Sequence, residues 1–334
     1  MSRYAAAHAN PQGQGDARPT AMQIVNDEGM EGKLADKVIV ITGVSSGIGI
    51  ETVRTLATTG ARLFLTARDL VKAKTALGGI FDATKMELIH MDQTSFESVR
   101  AAAAAILSKT DQITILVANA AIMAVQDRQL TEDSYELQFT TNHLSHFLFF
   151  NLLKPALLAG SSAGFQSRVV VVSAAAHRVA TLNESDNYHF QKGGYSPWGA
   201  YGQSKLANIY MANEIERRFG SSGLHATSLH PGLIATGLAQ HLPKQELDAM
   251  LQNEFILKMQ KSVEQGAATT VWAAVSMELE GKGGLYLSDC AVAKRGEDDG
   301  NYALGMTSSC TYNPENEARI WKDSLEMVGL SENN

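Results

Sequence analysis

The 334-residue chain reads as an α/β protein, a doubly wound parallel sheet in a single domain. Short uninterrupted apolar runs recur along it, as expected of strands buried on both faces of a parallel sheet. Helix-length, alanine-rich amphipathic stretches separate these runs, which is the alternation of βαβ units. The composition, 45% hydrophobic and 19% charged, supports one large core, and nothing in the middle of the chain reads as a linker.

Residues 1–33 are polar and contain Gly and Pro. The expectation there is a disordered or loosely packed extension, with a flap over a neighbouring site as the alternative. The domain proper is expected over 34–334. Its first strand is Val38-Ile39-Val40-Ile41, ending in Thr42-Gly43. Further strands are expected at 63–65, 88–89, 113–117, 169–172 and 226–229. The longest helices are expected from 134 to about 158 and from 200 to about 219, with Pro155 near the end of the first. Helices of that length commonly pair across subunits, so a homo-oligomer is one expectation.

The formal charge of −7 argues against a polyanionic partner, because phosphate backbones are held by clustered Lys and Arg. No nucleic acid is expected. The two cysteines, Cys290 and Cys310, match neither a disulfide framework nor a zinc site, which fits a reducing compartment. His143 and His146 stand three apart without the Cys or acidic partners of zinc-enzyme spacing, so no metal is expected. The N-terminal residues lack the apolar core of a signal peptide, and no run of about 20 apolar residues could span a bilayer. A cytoplasmic protein without a membrane partner is the expectation.

The first strand runs into Thr42-Gly43-Val44-Ser45-Ser46-Gly47-Ile48-Gly49, followed by a helical pattern. Glycines there permit a tight turn and let the backbone approach a pyrophosphate, whose charge is favoured at a helix N-terminus. Gly43, Ser45, Ser46, Gly47, Ile48 and Gly49 are therefore candidate cofactor contacts. The second strand ends Thr66-Ala67-Arg68, where an NAD-selective site would place an acid on the ribose 2′-hydroxyl. Arg68 instead offers a guanidinium to a 2′-phosphate, which points to NADP, a surface ion pair being the alternative. Asp92 after the third strand could accept from the adenine amino group or cap the helix before Phe96. Asn119 follows the fourth strand at its ligand-binding end.

Taken together, the Thr42–Gly49 glycine motif, Asn119 in Asn-Ala-Ala, Asn142 in Thr-Asn-His-Leu, Tyr201-x-x-x-Lys205 and Pro231-Gly232 resemble the short-chain dehydrogenase/reductase family. The match covers about residues 36–290. His177, the segment 195–205 and Gly283-Gly284-Leu285-Tyr286 look most like fungal and retinol-dehydrogenase-like branches. The resemblance implies a Rossmann-type fold and chemistry at Tyr201 and Lys205, which lie four apart and share a helix face. A phenol titrates near 10, and an adjacent ammonium together with the charge of the nicotinamide would lower it. Tyr201 would then act as general acid in carbonyl reduction or general base in alcohol oxidation. The resemblance further implies that Lys205 binds the nicotinamide ribose and that Asn142 supports a proton-relay water. It also implies that Pro231, Gly232, the Ile234 backbone and the Thr236 hydroxyl contact the nicotinamide carboxamide and the phosphates.

One position departs from the family pattern. Members usually carry Ser-Ser after the fifth strand, the second serine bonding the substrate oxygen, whereas this chain reads Val172-Ser173-Ala174-Ala175. The catalytic position is then Ala174, and losing such a donor costs about 10²–10³ in rate. Three accounts are open: a substitution made to inactivate the enzyme, which we favour because Tyr201, Lys205 and Asn142 remain; a natural member drawing on Ser173 or another donor; and a redox-silent relative. Substrate loops are expected at about 178–198, with Tyr188, Phe190, Tyr195 and Trp198 lining a pocket or packing the loop, and at about 237–260, Leu- and Met-rich. Such a lining suits a small hydrophobic ketone or alcohol. The reading is an NADP(H)-dependent carbonyl/alcohol oxidoreductase, with a redox-neutral enzyme or nucleotide-binding protein on the same fold as the alternative.

Overall fold

The computed structural model describes residues 2–299 and 304–332. Among them are the strands β1 Val38–Thr42, β2 Arg62–Ala67, β3 Met86–His90, β4 Ile115–Ala118, β5 Ser167–Val172, β6 Leu224–His230, β7 Leu233–Ile234, β8 Gln260–Lys261, β9 Leu285–Ser288 and β10 Ala291–Val292. β7 and β8 pair with each other, and the rest form one sheet in the order β10-β9-β6-β5-β4-β1-β2-β3. Every pairing in that sheet is parallel except β9 with β10. The chain therefore winds outward from β1 in both directions, and the reversal between β1 and β4 opens a crevice at the carboxyl ends of the strands. The doubly wound parallel sheet read from the sequence is the fold observed.

The helices are α1 Ala5–His8, α2 Ala21–Asp27, α3 Ile48–Ala57, α4 Leu70–Leu77, α5 Phe96–Leu107, α6 Leu137–Phe139, α7 Ser145–Ala159, α8 Pro197–Phe219, α9 Lys244–Gln252, α10 Glu254–Met259, α11 Val263–Gly266, α12 Ala268–Val275 and α13 Pro314–Met327. They cover both faces of the sheet because successive strand residues point to opposite sides. Val40, Val169 and Val171 enter a core with residues of α5, α7, α8 and α13. Ile39, Ile41, Val170 and Val172 enter a second core with residues of α2, α3, α4 and α12.

Two expectations are corrected. The N-terminal segment is not loosely packed: Tyr4, Ala21, Ile24, Val25 and Met30 are buried in the second core, and Thr20 caps α2. Its polar average conceals one short apolar face. The helix expected from 134 begins at Leu137 instead, where the buried Glu136 carboxylate caps it, and Ser134 adopts a left-handed conformation in the preceding turn. A widened π turn, Thr140–Leu144, then joins α6 to α7. The C-terminal helix α13 lies on α8 within the same chain. Trp321 packs its ring against Phe147 at 4.9 Å and Phe150 at 6.3 Å, and Glu317 accepts from Asn213 and Arg217.

Candidate active site

The glycine motif lies at the opening between β1 and β4. Gly43 has φ +75°, and a Cβ there would come within 2.7 Å of the Ala120 Cα, so only glycine lets the two loops touch. A Cβ on Gly49 would lie 2.2 Å from the Gly43 carbonyl oxygen, which fixes α3 tightly under the turn. Gly47 caps α3 and places no side chain on its first amides, whereas Thr20, Asp69, Ser95 and Ser196 cap α2, α4, α5 and α8 with their side chains. The first-turn N–H groups of α3 thus keep the capacity to meet an anion. Ser45 and Ile48 are half-buried there, and Ser46 is exposed.

Asn119 and its neighbours lock this opening. The Asn119 amide donates to the Thr42 and Gly43 carbonyls at 2.9 and 3.2 Å, and the Asn119 and Ala120 backbone N–H groups donate to the Thr42 hydroxyl. That hydroxyl meets His146 Nε2 at 2.8 Å, while His146 Nδ1 lies 3.0 Å from the Asn142 carbonyl. A carbonyl only accepts, so Nδ1 carries the proton and Nε2 accepts from Thr42. His143 bonds Ser324 of α13 instead, so the two histidines serve different partners.

Arg68 is exposed at the end of β2 and Ala67 is buried beside it; the next acid, Asp69, is turned onto the Lys72 N–H of α4. Asp92 accepts from the Thr94 N–H and hydroxyl, and the cap of α5 is Ser95, so the capping alternative for Asp92 is set aside.

Tyr201 and Lys205 stand together on α8, both buried, with the Lys205 ammonium nitrogen 5.6 Å from the Tyr201 ring centre. Lys205 Nζ donates to the Val172 carbonyl at the end of β5. Burial pushes the lysine down to about 7 and the phenol well above its ordinary range. The expected lowering of the phenol by its neighbour is therefore not what the chain's own groups produce, because the same low-dielectric pocket that surrounds Tyr201 drives Lys205 toward its neutral form. Asn142 sits on the π turn and joins this pair indirectly. Its oxygen accepts from the Ile122 N–H, and its amide donates to the Ile122 carbonyl and to Ser204, whose hydroxyl donates to the Tyr201 carbonyl.

Ala174 packs with Ala176, Tyr201, Met123 and Trp198 in a small apolar cluster. Ser173 is directed elsewhere: its hydroxyl donates to the Lys205 carbonyl at 2.7 Å. Both residues follow the end of β5 and meet α8, Ser173 at the Lys205 carbonyl and Ala174 at Tyr201.

Of the aromatic residues at 178–198, Tyr188 stacks on Phe139 and bonds Asp323, and Tyr195 bonds the Val125 carbonyl with Phe190 against its ring. Trp198 is the one set against Tyr201, ring centres 6.0 Å apart, and its indole N–H donates to Glu246 of α9. Residues 237–259 carry no buried side chain, so the alternative of simple core packing fails there. Thr236 lies against Gly47, and Ile234 on β7 pairs with Lys261 of β8.

Sequence reading missed Lys261. This buried lysine donates to the Pro231 carbonyl at 3.2 Å and to Asp289 at 2.8 Å, and a Cβ on Gly232, at φ +114°, would sit 2.8 Å from its stem. It lies 30 residues beyond Pro231 and joins it only through the β7–β8 pairing, so no local spacing could have disclosed it.

The family model described as short chain dehydrogenase matches residues 37–247. The short-chain dehydrogenase/reductase prx1 of Penicillium roqueforti is 46% identical over 99% of this chain and 96% of its own length. The oxidoreductase calI of Penicillium decumbens is 43% identical over 100% and 99%. Among solved structures, an uncharacterized protein from Mycobacterium paratuberculosis is 30% identical, with a TM-score of 0.66 over 88% of this chain and 94% of that one. With the strand order, the glycine turn and the Tyr201–Lys205 pair in agreement, the chain belongs to the short-chain dehydrogenase/reductase family.

Proposed function

We propose that the chain is an NADP(H)-dependent oxidoreductase that interconverts a carbonyl and an alcohol on a hydrophobic small molecule, in the manner of a fungal secondary-metabolism enzyme, with turnover impaired by Ala174. The observation that carries this reading is the buried Tyr201–Lys205 pair beside an apolar cluster at the carboxyl ends of β4 and β5. The crevice also fits a dinucleotide, because α3 presents first-turn amides without a side-chain cap and the glycine turn admits close approach. Ser45, Ser46, Gly47, Ile48 and Gly49 would hold the pyrophosphate, Arg68 the 2′-phosphate and Asp92 the adenine amino group. Lys205 would hold the nicotinamide ribose, and Pro231, Gly232, Ile234 and Thr236 the carboxamide end. When bound, the nicotinamide supplies or accepts the hydride. Tyr201 gives its phenolic proton to the nascent alkoxide or takes it from the alcohol. The test is Tyr201→Phe. Turnover should fall to background while NADPH affinity stays within about twofold, since the phenol moves the proton and the loops hold the nucleotide. Undiminished turnover would sink the assignment.

A redox-neutral reading draws on Ala174, because Ser173 is committed to the Lys205 carbonyl and does not replace the missing hydroxyl. It gains if neither this chain nor its Ala174→Ser variant reduces any carbonyl compound with NADPH.

A further inference from the structure

Residues 237–259 form a lid that contributes nothing to either core: no side chain of the 237–241 turn, α9 or α10 is buried. Such a segment is held by its attachments and opens locally at low free energy. One attachment is its entry at Thr236, beside Gly47, and another is the bond from Trp198 to Glu246. The third is its exit at Met259–Ser262, and there the N-terminal segment closes over the chain.

Arg18 makes that closure. It is 4% exposed, and its guanidinium donates to the Met259 carbonyl at 2.9 Å, to the adjoining Gln260 carbonyl and to the Gly13 carbonyl, while Nε meets Asp16 at 2.8 Å. Gln265 completes the joint: its oxygen accepts from the Gly15 and Ser262 N–H groups, and its amide donates to the Asp16 and Arg18 carbonyls. A planar fork can address several carbonyls at once, which a lysine's single ammonium cannot do in the same geometry. The residue following the Arg18-bound carbonyls is Lys261, which pairs with Ile234 and bonds the Pro231 carbonyl.

We propose that Arg18 is a positioning residue for the substrate and cofactor site. The 13–18 segment clasps the exit of the lid, and through β8 it sets the Pro231–Thr236 loop. The part concerning that loop rests on the proposed cofactor reading, whereas the ordering of the lid does not. The experiment is hydrogen exchange on the full chain, with and without NADPH, for the natural sequence, Arg18→Ala and Arg18→Lys. Without NADPH, amides of 237–262 should exchange about tenfold faster in Arg18→Ala and by a smaller factor in Arg18→Lys, while β1 to β6 keep their protection. NADPH should bind Arg18→Ala several-fold more weakly and restore part of the lid's protection. Faster lid exchange in a chain that binds no NADPH in any form would uphold the clasp and remove the cofactor reading. Unchanged lid exchange overturns the proposal, and so does acceleration that spreads equally through the central strands, because the arginine would then only stabilise the fold.

Discussion

Ala174 packs against Tyr201, and on the proposed reading a hydroxyl at this position would meet charge building on a substrate oxygen. Ala174→Ser should raise single-turnover hydride transfer at saturating NADPH by about 10²–10³, with substrate affinity changing far less. The opposite pattern, no change in Ala174→Ser and loss of rate in Ser173→Ala, would move the catalytic position by one residue. Arg68, exposed at the end of β2, should on the proposed reading favour NADPH over NADH. Arg68→Ala narrows that ratio in paired titrations, and equal affinities in the natural chain would reverse the NADP assignment. Lys205 adds a pH dependence. Burial holds it near 7, and on the proposed reading the ribose hydroxyls it would hold accept best from its ammonium form. Binding therefore takes up a proton wherever the lysine is neutral beforehand. Affinity should be full below about pH 7 and weaken toward about pH 9, and the slope should vanish in Lys205→Met. A flat profile in the natural chain would contradict this.

At the scale of elements, the strands were legible and the joints were not. β1 and β5 are runs of four branched apolar residues, and such runs have few uses other than a strand buried on both faces. β9 escaped notice because it follows Gly283-Gly284 and spans only four residues. Tyr201, Lys205, Asn119 and Asn142 could be named because they sit in local motifs. Lys261 and Arg18 work through tertiary contacts, which leave no spacing to read. The π turn is of the same kind: nothing in Thr-Thr-Asn-His-Leu announces it, yet it aims Asn142 at Ile122 and Ser204. Asn142→Ala removes the partner of the Ile122 N–H and carbonyl and one bond of the buried Ser204 hydroxyl, and should lower stability by about 1–3 kcal/mol in urea unfolding, with activity falling beyond what the unfolded fraction explains. Stability within error of the natural chain would show that the turn holds itself.

The whole molecule is closed by its two terminal segments, α2 on one face of the sheet and α13 on the other. With α13 in place, the face of α7 and α8 that might have joined two subunits is interior. Light scattering should return the mass of one chain at micromolar concentration, and a dimer would show that another surface associates. Trp321→Ala empties the contact with Phe147, Phe150 and Phe219 and should cost about 3–5 kcal/mol, read as a lower midpoint of thermal or denaturant unfolding.

The position of α13 also bears on how this protein is made and how it can be lost. A ribosome has already synthesised Tyr201, Lys205 and the Pro231–Thr236 loop long before it reaches Pro314. Until the last turns of α13 emerge, Phe147, Phe150 and Phe219 lack the tryptophan that covers them. A stop codon between Val292 and Pro314 would leave each of those chemical groups in place, along with α12 and β9 of the second core, and still yield a chain with the other core open, prone to aggregation and clearance by proteases. Late nonsense alleles of this gene should therefore behave as nulls.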